Sequence, residues 1–373
     1  GDDIRMPLME FLNHDPNDVA TVQAGGSIYG PNITIYGEGR LWVQAGDEIY
    51  TGIGGYGIGI RASEDNDYAD YDEDNGADVS VLTGIDQDPE YDAFFEYYLG
   101  TEGLSTKPLY LSEYFTFDAI GLGTPRPTYL ADGATEVTIY AVDLVNYWNE
   151  MNGREPISLE SEKDGRPIAR GTLVSKISKA DYEAAMAWFA GLEADKKQGL
   201  ATRILFAELK TAGREAVASS RDTDPSQTRF GNPTRGYDAV GRLFPGAQRK
   251  PGEAKQEGEA RWFGDLIMKQ EQIRTDGGGD IEILAPGGFV QLATLSVANT
   301  DPNTAGVLSQ DGGGVNVLTY GDYIVNQSRT MTADDGDILI WSSYGNIDAG
   351  KGRKTSLSIP PIIFPVDINA ILR

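Results

Sequence analysis

Apolar residues recur at every second position in short runs that open on glycine. Gly279-Asp280-Ile281-Glu282-Ile283-Leu284, Gly314-Val315-Asn316-Val317-Leu318 and Gly336-Asp337-Ile338-Leu339-Ile340-Trp341 share this form. Alternation with a period of two builds a strand with one buried face, and glycine permits the sharp corner before it. Weaker copies stand near the other end, at Gly26-Ser27-Ile28, Gly39-Arg40-Leu41-Trp42-Val43 and Gly46-Asp47-Glu48-Ile49. Val19 to Gly25 and Leu41 to Gly46 share the ending V-Q-A-G, at a spacing that suits one turn of a repeat. Corner, strand, corner, strand predicts a mainly β chain built as a β-solenoid, an architecture that offers a long supporting or binding surface.

Between the two runs of repeats the period changes. Tyr91, Phe94, Phe95 and Tyr98 are spaced by three and four, which suits one face of a helix. Residues 100 to 176 are mixed, broken by Pro108, Pro125, Pro127 and Pro156, with a strand expected at Glu136 to Tyr140. Ser178-Lys179-Ala180-Asp181 is a helix start in which the serine hydroxyl accepts an amide proton three residues on. Helical spacing continues through Tyr182, Ala185, Met186 and Phe189, and again from Leu200 to Val217, so two helices are expected over about residues 178 to 220. Tyr237 to Phe244 reads as a further helical turn. The organisation is thus a β-solenoid part at 1–99, a mixed and helical insertion at 100–262, and a second β-solenoid part at 263–373 with a proline-containing tail. Repeat folds tolerate such insertions at their corners.

Composition narrows the function classes. The 46 glycines exceed the roughly 26 expected at an average share of about 7%, and the excess sits in the corner phrases. A net charge of −26 argues against nucleic acid and anionic membrane surfaces as partners. No apolar run is long enough to span a bilayer as a helix. Cysteine is absent, which removes disulfides and thiol chemistry. No signal peptide opens the chain, and Gly1-Asp2-Asp3-Ile4-Arg5 looks like another corner and strand. A longer natural product is the expectation.

Several segments resemble a known family. Ala24-Gly25-Gly26-Ser27-Ile28 and Val43-Gln44-Ala45-Gly46-Asp47 are similar to the Q-A-G-R-D-I repeats of filamentous haemagglutinin-type exoproteins. The likeness sharpens at Gly279-Asp280-Ile281 through Pro286-Gly287-Gly288 and at Val325-Asn326-Gln327-Ser328-Arg329. It is strongest from Gly336 to Gly352, where Trp341-Ser342-Ser343 leads into Ile347-Asp348-Ala349-Gly350. Leu205 to Phe244 shares in it. These segments look like the C-terminal region of large two-partner-secretion proteins of Gram-negative bacteria. That resemblance implies a right-handed parallel β-helix, export through an outer-membrane partner, and a role as an adhesin or surface fibre, with no catalytic residues to carry over. It makes the expected protein secreted or cell-surface and non-enzymatic. Its expected partners are a second copy joined end to end, or the rest of a longer exoprotein, and a surface glycan or protein.

Literal motifs weaken under their context. Gly52-Ile53-Gly54-Gly55-Tyr56-Gly57 satisfies G-x-G-x-x-G, but Ile58-Gly59-Ile60-Arg61 follows where the dinucleotide fingerprint needs a helix. Gly345 to Lys351 approaches a P-loop, but Gly352 stands where Ser or Thr must hold magnesium. Both read as corners. The acidic run from Glu64 to Asp78 reads ordinarily as a solvated loop. Asp67, Asp70, Asp72 and Asp74 within it are candidate Ca2+ ligands, since calcium takes six to eight oxygens, although no EF-hand spacing is present. No other cofactor is expected. His14 is the single histidine, which excludes histidine metal cages and most catalytic triads. Trp42, Trp148, Trp188, Trp262 and Trp341 could serve as sugar-stacking platforms, with core filling their ordinary role. Tyr36, Tyr50 and Tyr56 are expected near corners. The alternative function is a β-helix enzyme degrading polysaccharide with paired carboxylates, whose pairing in space a sequence does not reveal.

Overall fold

A computed structural model describes residues 2–5, 8–51, 59–63, 76–104, 128–157, 176–221, 234–254, 261–269, 271–292, 305–334 and 336–350, with short pieces at 162–163, 166–167 and 173–174. The chain opens with three circuits of three strands. They are β1 (Ile4–Arg5), β2 (Leu8–Leu12) and β3 (Val19–Ala24); β4 (Ile28–Tyr29), β5 (Asn32–Tyr36) and β6 (Arg40–Ala45); and β7 (Ile49–Tyr50), β8 (Gly59–Ser63) and β9 (Asp78–Thr83). Then comes a mixed excursion: α1 (Tyr91–Leu99), β10 (Thr128–Tyr129), β11 (Glu136–Val137), α2 (Ala141–Glu150), β12 (Glu162–Lys163), β13 (Arg166–Pro167), β14 (Leu173–Val174), α3 (Lys179–Ala190), α4 (Ala194–Arg221) and α5 (Arg235–Leu243). The circuits resume with β15 (Leu266–Ile267), β16 (Gln272–Thr275), β17 (Ile281–Ala285), β18 (Val290–Gln291), β19 (Gly306–Ser309), β20 (Val315–Thr319), β21 (Tyr323–Ile324), β22 (Arg329–Thr332), β23 (Ile338–Ser342) and β24 (Ile347–Asp348).

Successive strands visit three parallel sheets in rotation. The first has the order β1-β4-β7-β15-β18-β21-β24, the second β2-β5-β8-β16-β19-β22, and the third β3-β6-β9-β17-β20-β23. Each sheet continues across the excursion without a gap, because β15 pairs with β7, β16 with β8 and β17 with β9. The corner phrase explains how circuits stack. Asp3, Asp265 and Asp322 each accept a hydrogen bond from a backbone N–H one circuit on, at Ser27, Phe289 and Asn346, over 3.0, 2.9 and 2.6 Å. Glycine is required where corners touch: a methyl group on Gly46 would lie 2.0 Å from the carbonyl oxygen of Gly25. Inward-facing aliphatic residues such as Ile33, Val43, Ile60, Val79, Ile283 and Val317 form one buried cluster between the sheets.

The expected mainly β, right-handed parallel β-helix is corrected here. The described residues form three parallel sheets of six or seven strands together with five helices, a mixed α/β content, and no closed solenoid is formed among them. The reason lies on the outer face of the third sheet. Trp42, Leu82, Leu284 and Leu318 point away from the inner cluster and belong to a second core shared with all five helices, where Phe94, Leu144, Phe189, Leu205 and Val240 are buried. Both faces of β6 are consequently buried along its whole length. Outward apolar residues cannot face water at that density, so a helical layer covers them.

Helix α4 sets the span of that layer. Lys196 near its start donates to Asp18 Oδ1 at 2.8 Å, just before β3, and a methyl group on Gly213 would lie 3.0 Å from the Trp341 ring of β23. At a rise of about 1.5 Å per residue, Lys196 to Gly213 covers roughly 26 Å. Six strands at about 4.8 Å spacing cover roughly 24 Å, so α4 crosses the third sheet from edge to edge.

The expected helices appear, with differences at their ends. Ser178 caps α3 by accepting from the Asp181 N–H at 3.1 Å, as its spacing predicts. α4 begins six residues before Leu200, and α5 occupies the expected helical turn. The strand expected at Glu136 to Tyr140 is confined to β11, because Tyr140 becomes the cap of α2. Tyr140 is buried there with its hydroxyl on Glu208, and that tertiary contact overrides the local β preference.

Candidate functional site

Three strands of the third sheet bring charged residues to one place. In the parallel register Arg40 of β6 stands beside Asp78 of β9, and Trp42 beside Ser80. Ser80 in turn stands beside Glu282 of β17. The outward alternation that buries Trp42 and Leu82 under the helices also points Arg40, Ser80 and Glu282 outward, near the strand starts. There the cover thins into a cleft of about 480 Å³. Its walls are Glu38, Gly39 and Arg40 from the corner before β6, Gly76 and Asp78 before β9, Gly277, Gly278, Asp280 and Glu282 at the start of β17, and Glu150 and Arg203 from α2 and α4, with Pro16 beside them.

Arg40 organises the floor. Its guanidinium donates to Glu282 Oε2 at 2.5 Å, to Asp78 Oδ2 at 2.6 Å and to Ser80 Oγ at 2.6 Å. Ser80 Oγ donates to the same Glu282 oxygen at 2.8 Å. Burial opposes the Arg40 charge, but Glu282 and Asp78 hold its pKa above the ordinary guanidinium value. Burial raises the Glu282 pKa, with Arg40 opposing. Desolvation, then the neighbouring Asp78 charge, raises Asp280. Asp78 and Asp280 also serve the stacking: Asp78 Oδ1 accepts from the Asp280 N–H at 2.9 Å, and Asp280 Oδ1 from the Gly314 N–H at 2.7 Å. At the rim Arg203 pairs with Glu150 at 2.8 Å. The chemistry available is the acceptance of hydrogen bonds by a crowded, partly neutralised set of carboxylates.

The residues singled out by sequence are placed differently. Asp67, Asp70, Asp72 and Asp74 lie outside the described residues, as does Gly52 to Gly57 with Tyr56. Among the described residues no group of three or more His, Asp or Glu side chains is placed to hold a metal ion. Gly345 to Gly350 holds the corner and strand β24 of the last circuit, with the Gly345 N–H donating to Ser342 Oγ at 3.0 Å. Trp42 and Trp262 are buried, Trp42 against Phe244, and Trp341 lies beneath α4, so these three fill the core. Trp148 carries Arg154 over its ring, and Trp188 packs on Tyr147. His14 is exposed in a turn, its backbone N–H donating to Asp18. Arg40, Asp78, Asp280 and Glu282 went unnoticed as a group. Aligning the corner phrases on their glycines would have put Arg40 and Asp280 in one column and Trp42 and Glu282 in another, two places on.

A second surface of interest lies at the two ends of the stack. The large apolar residues most exposed among the described residues are Leu8 (75%) and Leu12 (40%) on β2, and Ile338 (45%), Tyr344 (59%) and Ile347 (52%) on or between β23 and β24. All of them belong to the outermost circuits.

A sequence profile of the family described as filamentous haemagglutinin family outer membrane protein matches residues 335–372. The likeness is to a surface-protein family. It is confined to a short segment, which includes β23 and β24. No curated protein and no solved structure matches the chain. Within the matched segment Trp341 meets α4, and Ser343 Oγ is 3.0 Å from the Tyr237 hydroxyl of α5. No helix among the described residues is long and apolar enough to cross a membrane.

Proposed function

We propose that this chain is part of a secreted, adhesive or structural surface protein of the filamentous haemagglutinin type, acting by contact rather than catalysis. The three stacked sheets, braced by α4, are the stiff support, and the outer circuits extend it by accepting further parallel strands from a second copy. The observation that carries this reading is the gathering of exposed apolar side chains on the edge strands. Open edges present unpaired N–H and C=O groups, and exposed apolar residues beside them favour strand addition. All three sheets are parallel, so β24, β22 and β23 of one copy offer the edges that β1, β2 and β3 of the next would meet. The joint is head to tail, and repeating it gives a filament.

Light scattering of the purified chain over a concentration series tests this. Mass should rise with concentration, and the double variant Leu8→Lys, Leu12→Lys should abolish the rise without unfolding, because both residues are exposed. A chain that stays monomeric throughout the series, or a variant that assembles as well as the parent, overturns the proposal.

A further inference from the structure

We propose that the end-to-end joint forms in a single register, selected by an ion pair between Asp348 of one copy and Arg5 of the next. The inference rests on the assembly reading above and adds to it which residues meet and what excludes the alternatives.

The sheets themselves define the register. In the first sheet one column of aligned residues starts at Ile4, passes through Ile28, Ile49, Leu266, Val290 and Tyr323, and ends at Ile347. One further step of the same kind sets Ile4 of a second copy beside Ile347, and Arg5 beside Asp348. The third sheet gives the same answer, because the columns that start at Ala20 and Val22 end at Ile338 and Ile340. These columns face the interior: Ala20, Val22, Ile4 and Ile340 belong to or pack on the inner cluster, and Ile338 and Ile347 are its exposed ends. The backbone follows one rule along the first sheet. The Ile4 N–H donates to the Ser27 carbonyl and the Tyr323 N–H to the Asn346 carbonyl, each one place earlier on the next circuit, at 2.9 and 2.8 Å. At the joint the same rule carries the Ile347 N–H to the Asp3 carbonyl of the next copy.

Charge separates this register from its neighbours. Ile4 faces inward, so alternation turns Arg5 outward, and Asp348 after Ile347 likewise. The Arg5 side chain is 64% exposed, and its guanidinium, which carries several donors, meets Asp3 at 2.8 Å. It lies 4.4 Å from the centre of the Tyr29 ring, which anchors it on the outer face of the edge. Asp348 accepts from the Gly350 N–H at 2.9 Å and has no cationic partner among the described residues. A slip of one residue at the joint would turn every side chain to the other face. A slip of two keeps the faces, but in one direction it sets Asp348 against Asp3, and in the other it sets Arg5 against the uncharged Asn346. Opposite charges side by side thus favour one register, and like charges exclude its neighbour. Two copies that each carry a net charge of −26 repel at long range, so opposite charges at the contact also orient their approach.

Charge reversal on the full chain tests the register. In Arg5→Asp, and equally in Asp348→Arg, each copy meets its own kind with like charges, so the concentration for half-assembly by light scattering should rise about tenfold or more. In an equimolar mixture of the two variants every joint between unlike copies pairs opposite charges, and assembly should return to the parent's concentration range. That recovery also shows that neither variant is merely misfolded, a needed control because Arg5→Asp removes the partner of Asp3. Cysteine pairs give a second readout against a background free of cysteine. Aligned positions on neighbouring strands lie about 4.8 Å apart, within reach of a disulfide, and an offset of two residues carries them out of it. Arg5→Cys with Asp348→Cys should therefore oxidise to covalent multimers, and Arg5→Cys with Asn346→Cys should do so far more slowly. A parent chain that stays monomeric overturns this inference together with the assembly reading. A parent that assembles while both charge variants assemble equally well, a mixture that fails to recover, or equal crosslinking of the two cysteine pairs overturns the register alone and leaves end-to-end assembly standing.

Discussion

Replacing Arg235 with methionine should unfold the helical layer at markedly lower denaturant. Arg235 of α5 and Glu208 of α4 are each about 1% exposed at the side chain, and they meet in a two-pronged contact, Nε to Oε2 at 2.7 Å and Nη2 to Oε1 at 2.5 Å. Tyr140 donates its hydroxyl to the same carboxylate, and burial raises the tyrosine pKa well above the ordinary phenol value. Methionine keeps most of the apolar stem, so lost packing is the smaller effect. The larger one is a carboxylate left in the core with a single hydroxyl, and breaking a buried pair in this way costs about 3 to 5 kcal/mol. Removing both charges is different. In Glu208→Leu with Arg235→Met, the remaining penalty is chiefly the orphaned Tyr140 hydroxyl, about 1 to 3 kcal/mol. The double variant should therefore be more stable than Arg235→Met alone. Urea unfolding followed by far-ultraviolet circular dichroism and tryptophan fluorescence reads these differences as shifts in midpoint. A loss below about 1 kcal/mol in the single variant, or a double variant whose loss equals the sum of the two singles, would refute the reasoning.

Two further outcomes follow from other parts of the molecule. Burial, with Arg203 opposing, raises the Asp143 carboxyl of α2 from 3.8 to about 6; the folded state thus keeps its proton where the unfolded chain releases it, and stability from this group falls as pH rises from about 4 to 6. Asp143→Asn should gain up to about 3 kcal/mol at neutral pH and nothing at pH about 4, and parallel stability profiles for parent and variant would contradict this. At the corners, Gly46→Ala should cost about 1 to 3 kcal/mol by overpacking, because the added methyl meets the Gly25 carbonyl at 2.0 Å. Gly191→Ala, whose nearest neighbour would be 3.5 Å away, should stay within about 0.5 kcal/mol, and equal thermal shifts for the two would remove stacking as the reason for the corner glycines.

The local pattern determined the parts. Alternation after glycine located β6, β17, β20 and β23, helical spacing located α1, α3 and much of α4, and Ser178 was readable as a cap because its partner is three residues away. These features depend on neighbours within a turn or a strand, which a sequence states directly. The aspartate of the corner phrase was visible, but its purpose was not, since its bond goes to a backbone N–H a full circuit on. Only the tertiary structure decided what covers the outer face of the third sheet and what faces the cleft. Alternation says that Trp42 and Glu282 leave the inner core, but not whether water, a helix or an open cavity meets them. Arg40 and Glu282 are separated by 242 positions and by the whole helical excursion. They touch because β9 and β17, adjacent in the sheet, are joined through that excursion, and lateral pairing of this kind depends on how distant segments stack rather than on any residue near them.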